Sequence, residues 1–131
     1  MALDVSQLKR VSLFAEVPDE ALKKIAPFTN VDEFAEGQVV LKEGGYSNDF
    51  YVIEDGSAKV ERAGEKIADL GPGDVFGEQG LLEKEARSAT VTATSTLRVI
   101  KIEHWELSRM RKAMPDVVEQ LQQKVEERSG Q

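Results

Sequence analysis

Between residues 31 and 76 the chain turns roughly every ten residues, and this punctuation limits the fold more than any other feature. Residues 31–34 alternate apolar and polar, Gly37 turns the chain into 38–41, and Gly44-Gly45 turns it again before 49–53. Asp55-Gly56 leads into 58–62, Ala63-Gly64 into 66–70, and Gly71-Pro72-Gly73-Asp74 makes a further corner. Short strands separated by Gly, Asp and Pro at this spacing build a sandwich or a barrel, because each strand must turn back to bury one face. Nine of the ten glycines fall between 37 and 80, so the turns belong to this section and not to the chain's ends.

The ends read differently. Residues 4–27 are helical in pattern, with Val5, Leu8, Val11 and Leu13-Phe14 forming an apolar stripe of imperfect helical spacing. Val17-Pro18-Asp19-Glu20 is a break and restart, Ala21, Leu22, Ile25 and Phe28 supply the next apolar face, and Pro27 ends it. After a β-rich run over 92–103, His104-Trp105-Glu106 opens a helix whose stripe is Leu107, Met110 and Met114, and Pro115 stops it. Asp116 is a suitable N-cap for a last helix, which carries Val117, Val118, Leu121 and Val125 on one face. His104 and Trp105 are expected at a packed strand-to-helix junction, with no catalytic role.

The stretch with the most chemistry is Phe76-Gly77-Glu78-Gln79-Gly80-Leu81-Leu82, followed after Glu83-Lys84-Glu85-Ala86 by Arg87-Ser88-Ala89-Thr90-Val91. Asp74-Val75-Phe76 reads as the end of a strand, and Gly77 allows a sharp turn and a close backbone approach to a ligand. Residues 78–82 suffice for one or two helical turns, whose free N–H groups favour negative charge. Arg87 returns on an extended run, 88–93, with a fork of donors suited to a phosphate. Glu78 would repel a phosphate, so it makes sense facing hydroxyls, as on a sugar attached to that phosphate. The alternative on the same residues is a glycine-rich turn and an ion-paired arginine in a roll without ligand.

The run Phe-Gly-Glu-x-Gly-Leu-Leu, then Arg-Ser-Ala-Thr-Val, resembles the phosphate-binding cassette of cyclic nucleotide-binding domains, found in catabolite gene activators, cyclic-nucleotide-dependent kinases and cyclic-nucleotide-gated channels. The resemblance covers nearly the whole chain, from the phrase Leu-Phe-Ala-Glu-Val-Pro-Asp-Glu-Ala-Leu to the closing helices. It implies a mainly β fold, an eight-stranded jelly-roll β-barrel (a double-stranded β-helix) flanked by N-terminal and C-terminal α-helices. One domain over 1–131 would hold N-terminal helices at 4–28, a roll at 31–103 with its cassette at 76–91, and C-terminal helices at 104–128. The resemblance also implies roles. Arg87 would pair with the cyclic phosphate, Glu78 would accept from the ribose 2′-hydroxyl, and N–H groups from Gly77 through Gln79 to Gly80 with the Ser88 hydroxyl would complete the cradle. Val60, Ile67 and Ala68 stand where the family lines the base or sugar pocket. Gln79 and Gly80 depart from the commoner leucine and alanine, which touches backbone packing and no charged contact.

Composition narrows the rest. The 131 residues suit one domain with a core of its own. The absence of cysteine removes disulfides and thiolate chemistry, and a single histidine leaves little scope for a zinc site or a histidine dyad. The carboxylates are scattered, with no paired nucleophile and base, so no catalytic residue, metal or cofactor is expected. The net charge of −7 argues against a nucleic-acid surface and leaves the Gly77 turn and Arg87 as the positive site for an anion. Fifteen residues follow Asp116, fewer than the roughly 20 of a helix-turn-helix, so no direct DNA binding is expected. No apolar run reaches the roughly 20 residues that span a bilayer.

The expectation is a cytoplasmic, non-enzymatic sensor of cyclic AMP, with cyclic GMP as the second ligand and an effector protein or a second copy as its macromolecular partner. The alternative is a degenerate roll acting through protein contacts, or the ligand-binding part of a larger regulator, kinase or channel. The helix at 116–128 is expected to fold over the nucleotide, with residues 121–125 nearest the base.

Overall fold

Among the described residues the alternating runs form eight strands: β1 (Asn30–Phe34), β2 (Val39–Leu41), β3 (Phe50–Asp55), β4 (Ala58–Arg62), β5 (Glu65–Leu70), β6 (Val75–Phe76), β7 (Thr90–Ala93) and β8 (Leu97–Ile102). The computed structural model describes residues 3–44, 49–76 and 89–129 of the chain. All strand pairs are antiparallel and make two four-stranded sheets, ordered β1-β8-β3-β6 and β2-β7-β4-β5. The expected jelly roll is therefore two facing sheets and not a barrel closed by continuous hydrogen bonding.

The central strands of the first sheet, β3 and β8, bury apolar residues on both faces. Tyr51, Ile53, Leu97 and Val99 meet Leu41, Ala58, Val91 and Ala93 of the second sheet in one core. The alternate residues Phe50, Val52, Ile100 and Ile102 point the other way, into a second core shared with the helices. A period of two along each strand produces both cores at once.

The helical layer starts with α1 (Val5–Leu8), α2 (Ser12–Ala15) and α3 (Asp19–Ile25), followed by a 3-10 turn at Ala26–Phe28 that contains Pro27. The irregular stripe in the sequence marks the extra break: Val11 is extended (φ −94°, ψ 126°), and Leu13 and Phe14 bury from the next short helix. Asp4 caps α1, accepting from the Gln7 N–H at 2.9 Å while the Gln7 side chain accepts from the Asp4 N–H at 3.0 Å. The Gln7 backbone bond, with help from the Ser6 hydroxyl, holds the Asp4 carboxyl below its usual range.

Two helices close the chain, α4 (His104–Ala113) and α5 (Pro115–Ser129). Asp116 is not the N-cap expected of it. Pro115 is itself the first helical residue, where its missing N–H costs nothing, and Asp116 lies in the first turn, favourable to the helix dipole. Met114 breaks the path between the two helices (φ −149°, ψ 65°). α5 packs against α2, α3 and β6, and Val117, Val118 and Leu121 are buried in the helix-side core. Leu121, expected near the base when the helix folds over the nucleotide, is here part of the helix-side core; the Val125 side chain lies outside the described residues. Trp105 also departs from expectation. It is 54% exposed, and its indole N–H donates to the Glu103 carboxylate at 2.9 Å.

The β3–β4 turn shows where the fold tolerates no side chain. Gly56 has φ +92°, and a Cβ there would fall on the Thr96 carbonyl oxygen of the neighbouring turn. Gly37 has a similar φ of +88° with open space around it. Gly56→Ala should therefore add a backbone clash to the left-handed penalty, at about 2–4 kcal/mol in total. Gly37→Ala should cost about 1 kcal/mol. Urea unfolding monitored by circular dichroism checks the difference, which should move the midpoint and leave the slope unchanged.

Candidate functional site

Most of the sequence-identified cassette, Gly77, Glu78, Gln79, Gly80, Arg87 and Ser88, lies outside the described residues. The structure describes what stands on either side of it. β6 precedes the cassette and belongs to the first sheet, whereas β7 follows it and belongs to the second. The chain leaves one sheet at Phe76 and rejoins the other at Thr90, so both ends are set by the roll.

The leading end is held by aromatic packing. β6 is only two residues long and pairs with β3 alone, with Phe76 opposite Tyr51. Their rings stack at 4.8 Å between centroids and 9° between planes. Phe76 is 4% exposed and Tyr51 5%, so the pair is part of the inter-sheet core. Val75, the preceding residue, packs on the helix-side core instead. A two-residue strand gains little from its ladder alone, so this burial on both faces fixes where the cassette begins.

The trailing end is held by pairing and by side-chain bonds. Thr90 stands opposite Glu61 in β4, and the Thr90 Oγ1 accepts from the Glu43 N–H at 3.0 Å. The Glu43 carboxylate in turn accepts from the Ala63 N–H at 3.0 Å, tying in the β4–β5 turn. Sequence reading gives Gly44-Gly45 as a turn and misses both this link and the Tyr51–Phe76 stack. The apolar alternation of β3 could have flagged Tyr51, but nothing in the sequence pairs Glu43 with Thr90, 47 positions away.

Of the three expected pocket-lining residues, the structure brings two together. Val60 is opposite Ala68 on one side and Val91 on the other, and Leu41 continues the row beyond Val91. Directly opposed residues share a face, so this row belongs to the inner face, where Val60 packs on the inter-sheet core. The next row, Ala93, Ala58 and Leu70, is also dominated by small side chains. Ile67 is not part of the row. The register shifts between Val60 and Glu61, which leaves Ile67 as the unpaired residue of a bulge, 50% exposed.

The charges described on β4 and β5 are largely self-paired: Lys59 lies 3.7 Å from Glu61, and Lys66 lies 3.0 Å from Asp69. Among the described residues no cluster of three or more metal-ligating side chains occurs, and no helix is long and apolar enough to cross a membrane.

With this geometry, the chain matches the family model described as "Cyclic nucleotide-binding domain" over residues 31–113. It is 45% identical over 83 residues to a cGMP-dependent protein kinase of Toxoplasma gondii, covering 61% of this chain and 8% of the kinase. It is 34% identical over 95 residues to the cAMP-dependent protein kinase regulatory subunit of Schizosaccharomyces pombe, covering 72% of this chain and 23% of that protein. The co-crystal structure of the regulatory domain of Toxoplasma gondii PKA with cAMP superposes with a TM-score of 0.74 at 26% identity, over 94% of this chain and 48% of that one. The chain thus spans a small part of the curated relatives it matches.

The Tyr51–Phe76 stack is testable independently of any ligand. In a double-mutant cycle with Tyr51→Leu and Phe76→Leu, the coupling should be about 0.5–1.5 kcal/mol, as for a buried aromatic pair. Additive losses in urea unfolding would show that the two rings contribute only as separate buried side chains.

Proposed function

This chain belongs to the cyclic nucleotide-binding domain family, and we propose that it is a sensor module whose ligand is a cyclic purine nucleotide, cyclic AMP in the first instance. The observation that carries this reading is the family match over 31–113, which contains the whole 76–91 cassette with its Glu78 and Arg87. In this reading Arg87 pairs with the cyclic phosphate and Glu78 accepts from the ribose 2′-hydroxyl. N–H groups between Gly77 and Gly80, including Gln79, complete the cradle with the Ser88 hydroxyl. Val60 and Ala68 line the base or sugar side, with Ile67 at its rim. The anion then sits at a local positive site on a protein of net charge −7, where Lys59 and Lys66 of β4 and β5 are already paired.

The module performs no chemistry of its own. The domain extends over 1–131, with the helices at both ends counted in it. It works in the cytoplasm by passing its ligand state to an effector protein or a second copy, and binds neither DNA nor membrane directly. A second reading, cyclic GMP as the preferred ligand, is favoured by the 45% identity to a kinase named for cyclic GMP.

Calorimetric titration with each nucleotide under matched conditions tests both. Tighter binding of cyclic AMP supports the first reading, tighter binding of cyclic GMP the second, and binding of neither overturns the assignment. Arg87→Ala should leave a desolvated phosphate charge unpaired, at a cost of about 2–5 kcal/mol. At about 1.4 kcal/mol per tenfold, affinity should fall by roughly 30-fold to several thousandfold. Unchanged affinity in the folded variant would remove Arg87 from the site.

A further inference from the structure

We infer that Thr90 and Glu43 are positioning residues for the nucleotide site, acting on the cassette without touching the ligand. The inference rests on the reading of the cassette as that site.

Among the described residues the backbone ladder between β2 and β7 runs as far as the Leu41–Val91 pair. One residue further along β7, toward the cassette, the Thr90 hydroxyl supplies the next link by accepting from the Glu43 N–H at 3.0 Å. On its other side Thr90 pairs with Glu61 of β4. Among the described residues Thr90 is thus the one nearest the cassette that is tied to both neighbouring strands, and Arg87 stands three positions earlier in the sequence. Three residues reach about 10 Å at most. The backbone geometry set at Thr90 is therefore imposed within that reach of position 87.

Glu43 extends the link to a third element. Its carboxylate accepts from the Ala63 N–H, and Ala63 has φ +54°, the left-handed region that disfavours a side chain. Ala63 and Gly64 (φ +83°) form the two-residue turn between β4 and β5. Ala63, Glu43 and Thr90 thus form a chain of polar contacts that joins the β4–β5 turn to the start of β7. Both of its hydrogen bonds are exposed. They add little to global stability, so their value lies in holding one geometry before the ligand arrives, which spares binding the cost of ordering it.

The experiment compares Thr90→Val, which keeps the shape and loses the acceptor, with Thr90→Ser, which keeps the acceptor. Glu43→Ala and Glu43→Gln do the same for the Ala63 contact. Cyclic AMP and cyclic GMP are titrated into each variant, and thermal unfolding is followed in parallel. Thr90→Val and Glu43→Ala should each bind about three- to tenfold more weakly, the worth of one hydrogen bond, with melting temperatures near that of the unaltered protein. Thr90→Ser and Glu43→Gln should bind within about twofold of it, on the same scale. Unaltered affinity in Thr90→Val, or an equal loss in Thr90→Ser, overturns the positioning role while leaving the nucleotide site standing. If the unaltered protein binds neither nucleotide, the site reading fails and this inference with it.

Discussion

The burial of both faces of one sheet is the constraint on which the molecule depends. β8 shows it most fully, with Leu97 and Val99 turned to the second sheet and Ile100 and Ile102 turned to the helices, all at 1% exposure or less. Such a strand has no solvent face to set its register by exclusion, since a slip of one residue would still meet apolar surroundings on either side. The charged residues within it resolve the ambiguity. Arg98 meets Glu54 and Glu33, and Lys101 reaches Asp32 at 3.5 Å. These partners come from the two strands flanking β8, so one register satisfies all three carboxylates together. Exposed ion pairs of this kind add little stability, and their value here is selection among registers.

The second sheet is built on the opposite plan. Its inner face is apolar and made largely of small residues, while Lys59, Glu61 and Thr92 alternate with them along β4 and β7. A sheet with one wet face can carry polar links along that whole face, because an unpaired donor there costs little. The two ends of the cassette follow that division. The Phe76 end belongs to the buried sheet and is held by ring stacking and apolar contact. The Thr90 end belongs to the wet-faced sheet and is held by directional hydrogen bonds.

How far this was legible in the sequence depends on whether the deciding contact was local. The strand segments before the cassette were readable to within a residue or two, because Gly, Asp and Pro mark the turns and alternation marks the strands, whereas the turn at 94–96 between β7 and β8 carries none of these residues and was absorbed into one β-rich run. The division into two cores was not, since alternation says that faces differ and not what covers each one. The bulge at Ile67 was invisible for a related reason: Lys66-Ile67-Ala68 alternates like any strand, and only the register against β4 shows that Ile67 has no partner. Trp105 was misjudged on hydrophobicity alone, when its Glu103 hydrogen bond lets it stay half in solvent. Pro115 carries both a stop signal and a first-turn signal, and both are realised: the helix before it ends at Ala113, Met114 breaks the path, and Pro115 opens the next helix. The cassette itself was legible as an ordered motif, while the residues that hold its two ends come from strands far away in the sequence.

The short strand β6 gives the two cores a common boundary. Val75 belongs to the helix-side core and Phe76 to the inter-sheet core, and α5 packs against this strand as well as against α2 and α3. Close-packed interiors do not deform smoothly, so a shift of either residue has to be accommodated by repacking on its own side. Two residues offer no length over which a displacement on one face could die out before reaching the other. The start of the cassette is therefore fixed relative to the helical layer as firmly as it is to the roll. Among the described residues the Thr90 end shows no such connection: its partners Glu43 and Glu61, and Ala63 beyond Glu43, all belong to the second sheet or its turns.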